Sequence, residues 1–211
     1  MELSQYFTAG TNFLIFLLAV WWGLNIFGVG NSGKLRKWSD LFSSVRMKFG
    51  LFMVLLGVSF GLAGIDHMFF EVSGPDYLSK LFYLSSWILT VVCSLLMVEV
   101  AFDDFDQKHL KIARGVAIFM AIAAAVMVVI KQEFLYVILA YLPAILVFLA
   151  LAVRNLREKI NFEVVLGIIL VLLGSYVQTT DIQLGVVDHN GFYHLIVLIA
   201  LWFFYDWGKK L

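Results

Sequence analysis

Hydrophobic positions in this chain fall in long, nearly unbroken runs divided by short polar connections, without the alternation of a half-buried strand. Seven runs recur, at about Phe7–Phe27, Met47–Phe70, Tyr77–Phe102, Leu110–Ile130, Glu133–Val153, Phe162–Thr180 and Gly191–Trp207. Crossing a hydrocarbon core of ~30 Å takes roughly 20 helical residues, which these runs approach or reach. Because every backbone polar group must be satisfied within lipid, the pattern predicts helices and not a barrel. The expected fold is all-α: a polytopic membrane protein with a seven-transmembrane helix bundle. No linker, low-complexity tract or internal repeat divides the chain, so residues 1–211 read as one domain.

Composition closes off the soluble alternative, since 62% of residues are hydrophobic and only 14% charged. Net charge is zero, but its placement is informative. Lys34, Arg36, Lys37, Arg46 and Lys48 mark the first connection, Lys108, Lys111 and Arg114 the third, Arg154, Arg157 and Lys159 the fifth, and Lys209 and Lys210 the tail. The intervening connections carry only Lys80 and Lys131. Cytoplasmic loops retain positive charge, so the N-terminus is expected outside and the C-terminus in the cytoplasm. MELSQYFTAGTN has no basic leader or small-residue cleavage site, so the first span is expected to be a retained helix. The long basic loop carries Trp38, Leu41 and Phe42 and reads as a topology-setting segment. The single cysteine, Cys93, excludes an internal disulfide and a cysteine-rich metal site.

Placed by depth, the polar residues gather at one end. Asp66 and His67 lie near the outer end of the second span, and Asp76 opens the third. Gln178, Thr179, Thr180 and Asp181 close the sixth, while Asp188, His189, Asn190 and His194 open the seventh. Ionisable groups at such depth are costly and face a bundle interior or a cavity. His67, His189 and His194 are candidate zinc ligands, because catalytic Zn²⁺ commonly takes three protein donors and keeps a fourth position for water. Asp66, Asp76, Asp181 and Asp188 are candidates to orient ligands or shuttle protons. His189 and His194 stand five apart, about 140° around a regular helix. Asp188 or Asn190 as N-cap, with Gly191 following, is expected to let His189 precede the helix and fold back. His109, in DDFDQKHLK, is expected to be a solvated interfacial residue outside any cluster. The glycines Gly50, Gly57, Gly61 and Gly64 are expected to let the second span approach a neighbour closely, and Pro143 to kink the fifth.

GLAGIDHMFF, PDYLSK and HNGFYHLIVL, with TAGTNFLIFLLAVWWGLNIF and SYVQTTDIQLGVVDHNGFYHLIVLIALWFFYDWGKKL, carry a resemblance. The chain resembles the seven-span membrane hydrolase superfamily of alkaline ceramidases and progestin and adiponectin receptors, its bacterial members especially. That family has a serine four residues before a histidine closing the second span, an aspartate near the start of the third, and HxxxH opening the seventh. His67, Asp76 and His194 match, whereas Ala63 stands at the serine and Asn190 at the first position of HxxxH, with His189 one residue earlier. The resemblance implies Zn²⁺ on His67, His189 and His194, whose water attacks a lipid amide or ester. Asp76 would orient or deprotonate that water, or Asp66 would serve as base. It also favours a bacterial inner membrane, a eukaryotic endomembrane being the alternative. The expected partner is a membrane lipid, as substrate or ligand, and not nucleic acid. A non-catalytic receptor or ligand-binding protein uses the same polar layer without turnover. Haem held by His67 and His194 is a third possibility.

Overall fold

The computed structural model describes residues 3–28, 44–71, 74–156, 161–180, 182–185 and 187–211. The basic loop with Trp38, Leu41 and Phe42, together with Arg157, Lys159 and Asp181, lies outside the described residues. Among the described residues seven α-helices form: α1 (Leu3–Ile26), α2 (Val45–Ile65), α3 (Asp76–Phe105), α4 (Leu110–Lys131), α5 (Leu135–Arg154), α6 (Phe162–Gln178) and α7 (His189–Gly208). Among the described residues, six helices are long and apolar enough to cross a membrane, and α6 is a shorter apolar helix of 17 residues. The protein is an all-α integral membrane protein. The two-residue strands β1 (Gln183–Leu184) and β2 (Val187–Asp188) pair antiparallel between α6 and α7.

Helices α1, α2, α3, α5, α6 and α7 pack in that order into a closed ring, while α4 lies outside it against α3 and α5. Its sequence explains the position. Ala124 and Val128 are buried, whereas Ile112, Phe119, Ile122 and Ile130 are exposed on the opposite side, where lipid accepts bulk. The tightest contact joins α1 to α2. A Cβ on Gly23 would meet the Gly50 carbonyl oxygen at 2.8 Å, and one on Gly57 would meet the Phe16 carbonyl oxygen at 3.1 Å. The expected role of the second span's glycines is thus met by α1 as the neighbour. Helix α5 runs without a break through Pro143, which lines a small apolar cleft shared with α3 and α4.

Charge separates along the bundle. At one end Lys48 is 5% exposed and pairs with Asp103 at 2.8 Å and Glu99 at 3.4 Å, and Arg114 grips Glu99 with two hydrogen bonds. Arg46 donates to the Ile26 carbonyl at 2.7 Å, and Trp207 donates from its indole to Asn161 at 3.1 Å. His109 is exposed as expected but not solitary: a 3-10 turn at Gln107–His109 sets its Nδ1 3.0 Å from Asp106. Arg154 holds the other Asp106 oxygen at 3.2 Å. The His109 hydrogen bond, then that of Arg154, lower the Asp106 carboxyl below its usual range. A lowered folded pKa contributes stability above the unfolded value and loses it as pH falls through the folded one. Thermal melts in detergent should therefore show an acid-side loss of stability that is smaller in Asp106→Asn, with no difference in pH slope above the ordinary carboxylate range.

Candidate functional site

A cavity of about 190 Å³ lies inside the helix ring. Its deep wall is apolar, with Phe52, Leu56, Ile168 and Leu201 among the contributors. Polar side chains interrupt this wall at helical spacing. Ser86, Thr90 and Ser94 stand four apart on one face of α3, and all three line the cavity. Ser59 of α2 donates to the Ser86 carbonyl at 2.9 Å and lies 3.0 Å from the Thr90 hydroxyl. Across the space Tyr141 of α5 donates to Ser175 of α6 at 3.2 Å, and Ser175 donates to the Val171 carbonyl. Such hydroxyls satisfy themselves on nearby carbonyls, so they soften an apolar cavity without the cost of unpaired groups.

The other end of the cavity is formed by Asn12, Ala63, His67, Gln178, Asn190 and His194. Helix α2 passes into a π-helical turn at Asp66–Phe70, which carries His67. One extra residue per turn re-aims side chains there, a feature often found at functional positions. The His67 Nδ1 is 2.7 Å from Glu71, one turn further on. An ionised carboxylate only accepts, so Nδ1–H donates and Nε2 is left over. The hydrogen bond from His67 holds the Glu71 carboxyl below its usual range.

His194 is 5% exposed, and its ring meets the edge of Phe60. Its Nδ1 lies 2.9 Å from the Thr11 hydroxyl, which itself lies 2.9 Å from the Thr8 carbonyl. Since Thr11 has one proton and spends it on that carbonyl, the imidazole donates from Nδ1 and keeps Nε2 as acceptor. Asp188 starts α7 by accepting from the Gly191 backbone N–H at 2.8 Å, and it also accepts from Thr8 at 3.4 Å. Thus α1 and the start of α7 are tied together at the cavity mouth, and the cap places Asn190 one turn before His194 on the same face. Gln178 donates to Asn190 at 3.4 Å.

The expected site residues divide. His67 and His194 share the cavity, whereas His189 is the first residue of α7 and is not among its lining. The N-cap is Asp188, so His189 continues into the helix instead of folding back before it. Asp66 is buried, with one carboxylate oxygen unpartnered, beside Ser79 and outside the cavity lining. Asp76 has a side chain 81% exposed and pairs with Lys80 at 2.8 Å, one turn along α3. Among the described residues, no three His, Cys, Asp or Glu side chains form a group able to hold a metal ion. Two imidazoles with Nδ1 already engaged are half of a familiar zinc arrangement, in which the outer partner fixes the ring.

Asn12 also reaches the cavity, where the sequence pattern predicts no functional residue. Only 1% of it is accessible, and neither its carbonyl oxygen nor its amide nitrogen has a partner. An unpaired buried amide costs about 1–3 kcal/mol. Its signal was present in TAGTN, where a carboxamide falls inside an apolar run. The stripe of Ser86, Thr90 and Ser94 could also have been found by period, in SSWILTVVCS.

No curated protein and no solved structure matches the chain. A family model matches residues 7–211, which is nearly the whole length, and the chain belongs to that family, a family of unknown function (DUF6962).

Proposed function

We propose that this protein binds a lipid-like amphiphile inside its helix ring, with the tail against the deep apolar wall and the polar end beside His67 and His194. The observation that carries this is the cavity itself, apolar at depth and polar at one end, within a chain whose helices are apolar enough to cross a membrane. Ligand sites commonly combine mostly apolar walls with a few placed polar groups. A lipid reaches such a space sideways from the bilayer, where a hydrophilic solute would first have to lose its hydration. We place the end carrying Lys48, Arg114 and Lys210 in the cytoplasm, on the bias of lysine and arginine between the two ends, and the cavity mouth on the outer side.

Filling the cavity tests the proposal. Ala63 lines it beside His67. Binding of a fluorescent single-chain lipid to purified protein in nanodiscs should weaken at least about tenfold in Ala63→Phe, because a ring would occupy the space a ligand needs. Equal binding by a folded Ala63→Phe variant would place the ligand elsewhere.

A second reading, hydrolysis of a lipid amide or ester as in the resembling superfamily, is favoured by the two tethered imidazoles. Zinc there would draw on His67 and His194 and would need a third donor. Metal analysis separates the two readings. Near-stoichiometric zinc that disappears in both His67→Ala and His194→Ala, with release of fatty acid from membrane lipids, would support hydrolysis. Metal-free protein that still binds lipid would leave the binding function alone.

A further inference from the structure

Resting on the lipid-binding function proposed above, we infer that Asn12 reads the ligand's head group and selects an uncharged one that presents a hydrogen-bond donor beside an acceptor, of which a primary carboxamide is the simplest. Three observations converge on this. Asn12 lines the polar end of the cavity, is 1% exposed, and has both its carbonyl oxygen and its amide nitrogen without a partner among the described residues. The neighbouring Thr11 hydroxyl does not claim those atoms, being engaged with the Thr8 carbonyl and His194. Its position is rigid as well, because a Cβ placed on Gly64 would come within 3.0 Å of the Asn12 Cβ, so α2 packs directly against its stem.

The surroundings define what Asn12 can recognise. His194 has donated from Nδ1 to Thr11 and retains an acceptor at Nε2, so it asks for a donor, while the Nε2 of His67 faces the same space. Asn190 accepts from Gln178 and keeps its own amide protons, so it asks for an acceptor. Asn12 supplies one of each on a single planar group. Among the described residues, no lysine or arginine lines the cavity to balance a phosphate or carboxylate, and no aspartate or glutamate lines it to balance an amine. A charged head would therefore be desolvated without compensation. A carboxamide head meets Asn12 with two parallel hydrogen bonds and leaves a proton for an imidazole. An ester of equal size offers acceptors only and leaves the His194 Nε2 unmet. Sites built to hydrogen-bond a donor reject analogues that lack it far more strongly than sites shaped for apolar groups reject a size change.

The test compares palmitamide with methyl palmitate, which share a chain and differ in the donor. Each is titrated into the purified full-length protein in detergent, and the concentration giving half of the maximal rise in melting temperature is read. Palmitamide should need at least about tenfold less ligand in the wild type, and Asn12→Leu should abolish the difference by weakening palmitamide alone. Equal responses of the wild type to the two lipids would overturn the head-group inference while leaving lipid binding intact. Retention of the tenfold preference by Asn12→Leu would overturn the role of Asn12. A wild type that responds to neither lipid would overturn lipid binding and this inference together. Should Asn12→Leu fail to fold, Asn12→Thr keeps one donor and one acceptor on a smaller group and should narrow the preference; an unchanged preference would count against Asn12, and the wild-type comparison decides the head-group chemistry in any case.

Discussion

Lys48→Met should destabilise the protein by about 3–5 kcal/mol, the usual cost of removing one partner from a buried ion pair. The cause is what the substitution leaves behind. Asp103 loses its contact at 2.8 Å, and Glu99 keeps only Arg114, while the carboxylate side chains stay 15% and 12% exposed within packed helices. Reversible unfolding in mixed micelles would measure the loss. Lys48→Arg should recover most of it, and the triple variant Lys48→Met with Glu99→Gln and Asp103→Asn should recover much, since the penalty lies in the unpaired charges. A loss below about 1 kcal/mol would mean that water reaches the carboxylates and screens them as on a surface.

Gly23→Leu should cost about 3 kcal/mol, at the upper end for overpacking, because the obstacle is backbone. A Cβ at this position meets the Gly50 carbonyl oxygen at 2.8 Å and the Val54 amide nitrogen at 3.0 Å, and neither can rotate away as a side-chain end would. Helix α1 must then withdraw from α2. That movement carries Thr11 from His194 and Asn12 from Gly64, so lipid binding should fall along with the melting temperature. Gly10→Leu supplies the control, since a Cβ there meets nothing within 4 Å. Comparable destabilisation by both variants would show that the loss comes from exchanging glycine and not from helix contact.

The chemical layer at the cavity mouth was only partly legible in the sequence. His67 and His194 could be placed together because spans of alternating direction fix relative depth, and depth brings distant residues to one plane. Rotation about each helix axis is a different quantity. Asp76 shares the depth of His67 yet faces outward onto Lys80, and His189 stands at the right level but off the cavity. Asn12 was overlooked for the converse reason, that a polar residue one turn inside an apolar run gives no sign of whether its helix turns it inward.

The sequence by itself determined the apolar helices, their approximate ends, the basic and less basic connections, and the polar gathering at one end, because each depends on a local run of residues or a count along the chain. Tertiary structure alone decided which faces meet: the exclusion of α4 from the ring, the glycine contact of α1 with α2, the π-helical turn under His67, and the enclosure of Asn12. The physical reason is that lipid is as apolar as leucine, so hydropathy distinguishes span from loop but not inward from outward face. In a membrane bundle that choice falls to close packing and hydrogen bonding, which involve residues far apart in the chain.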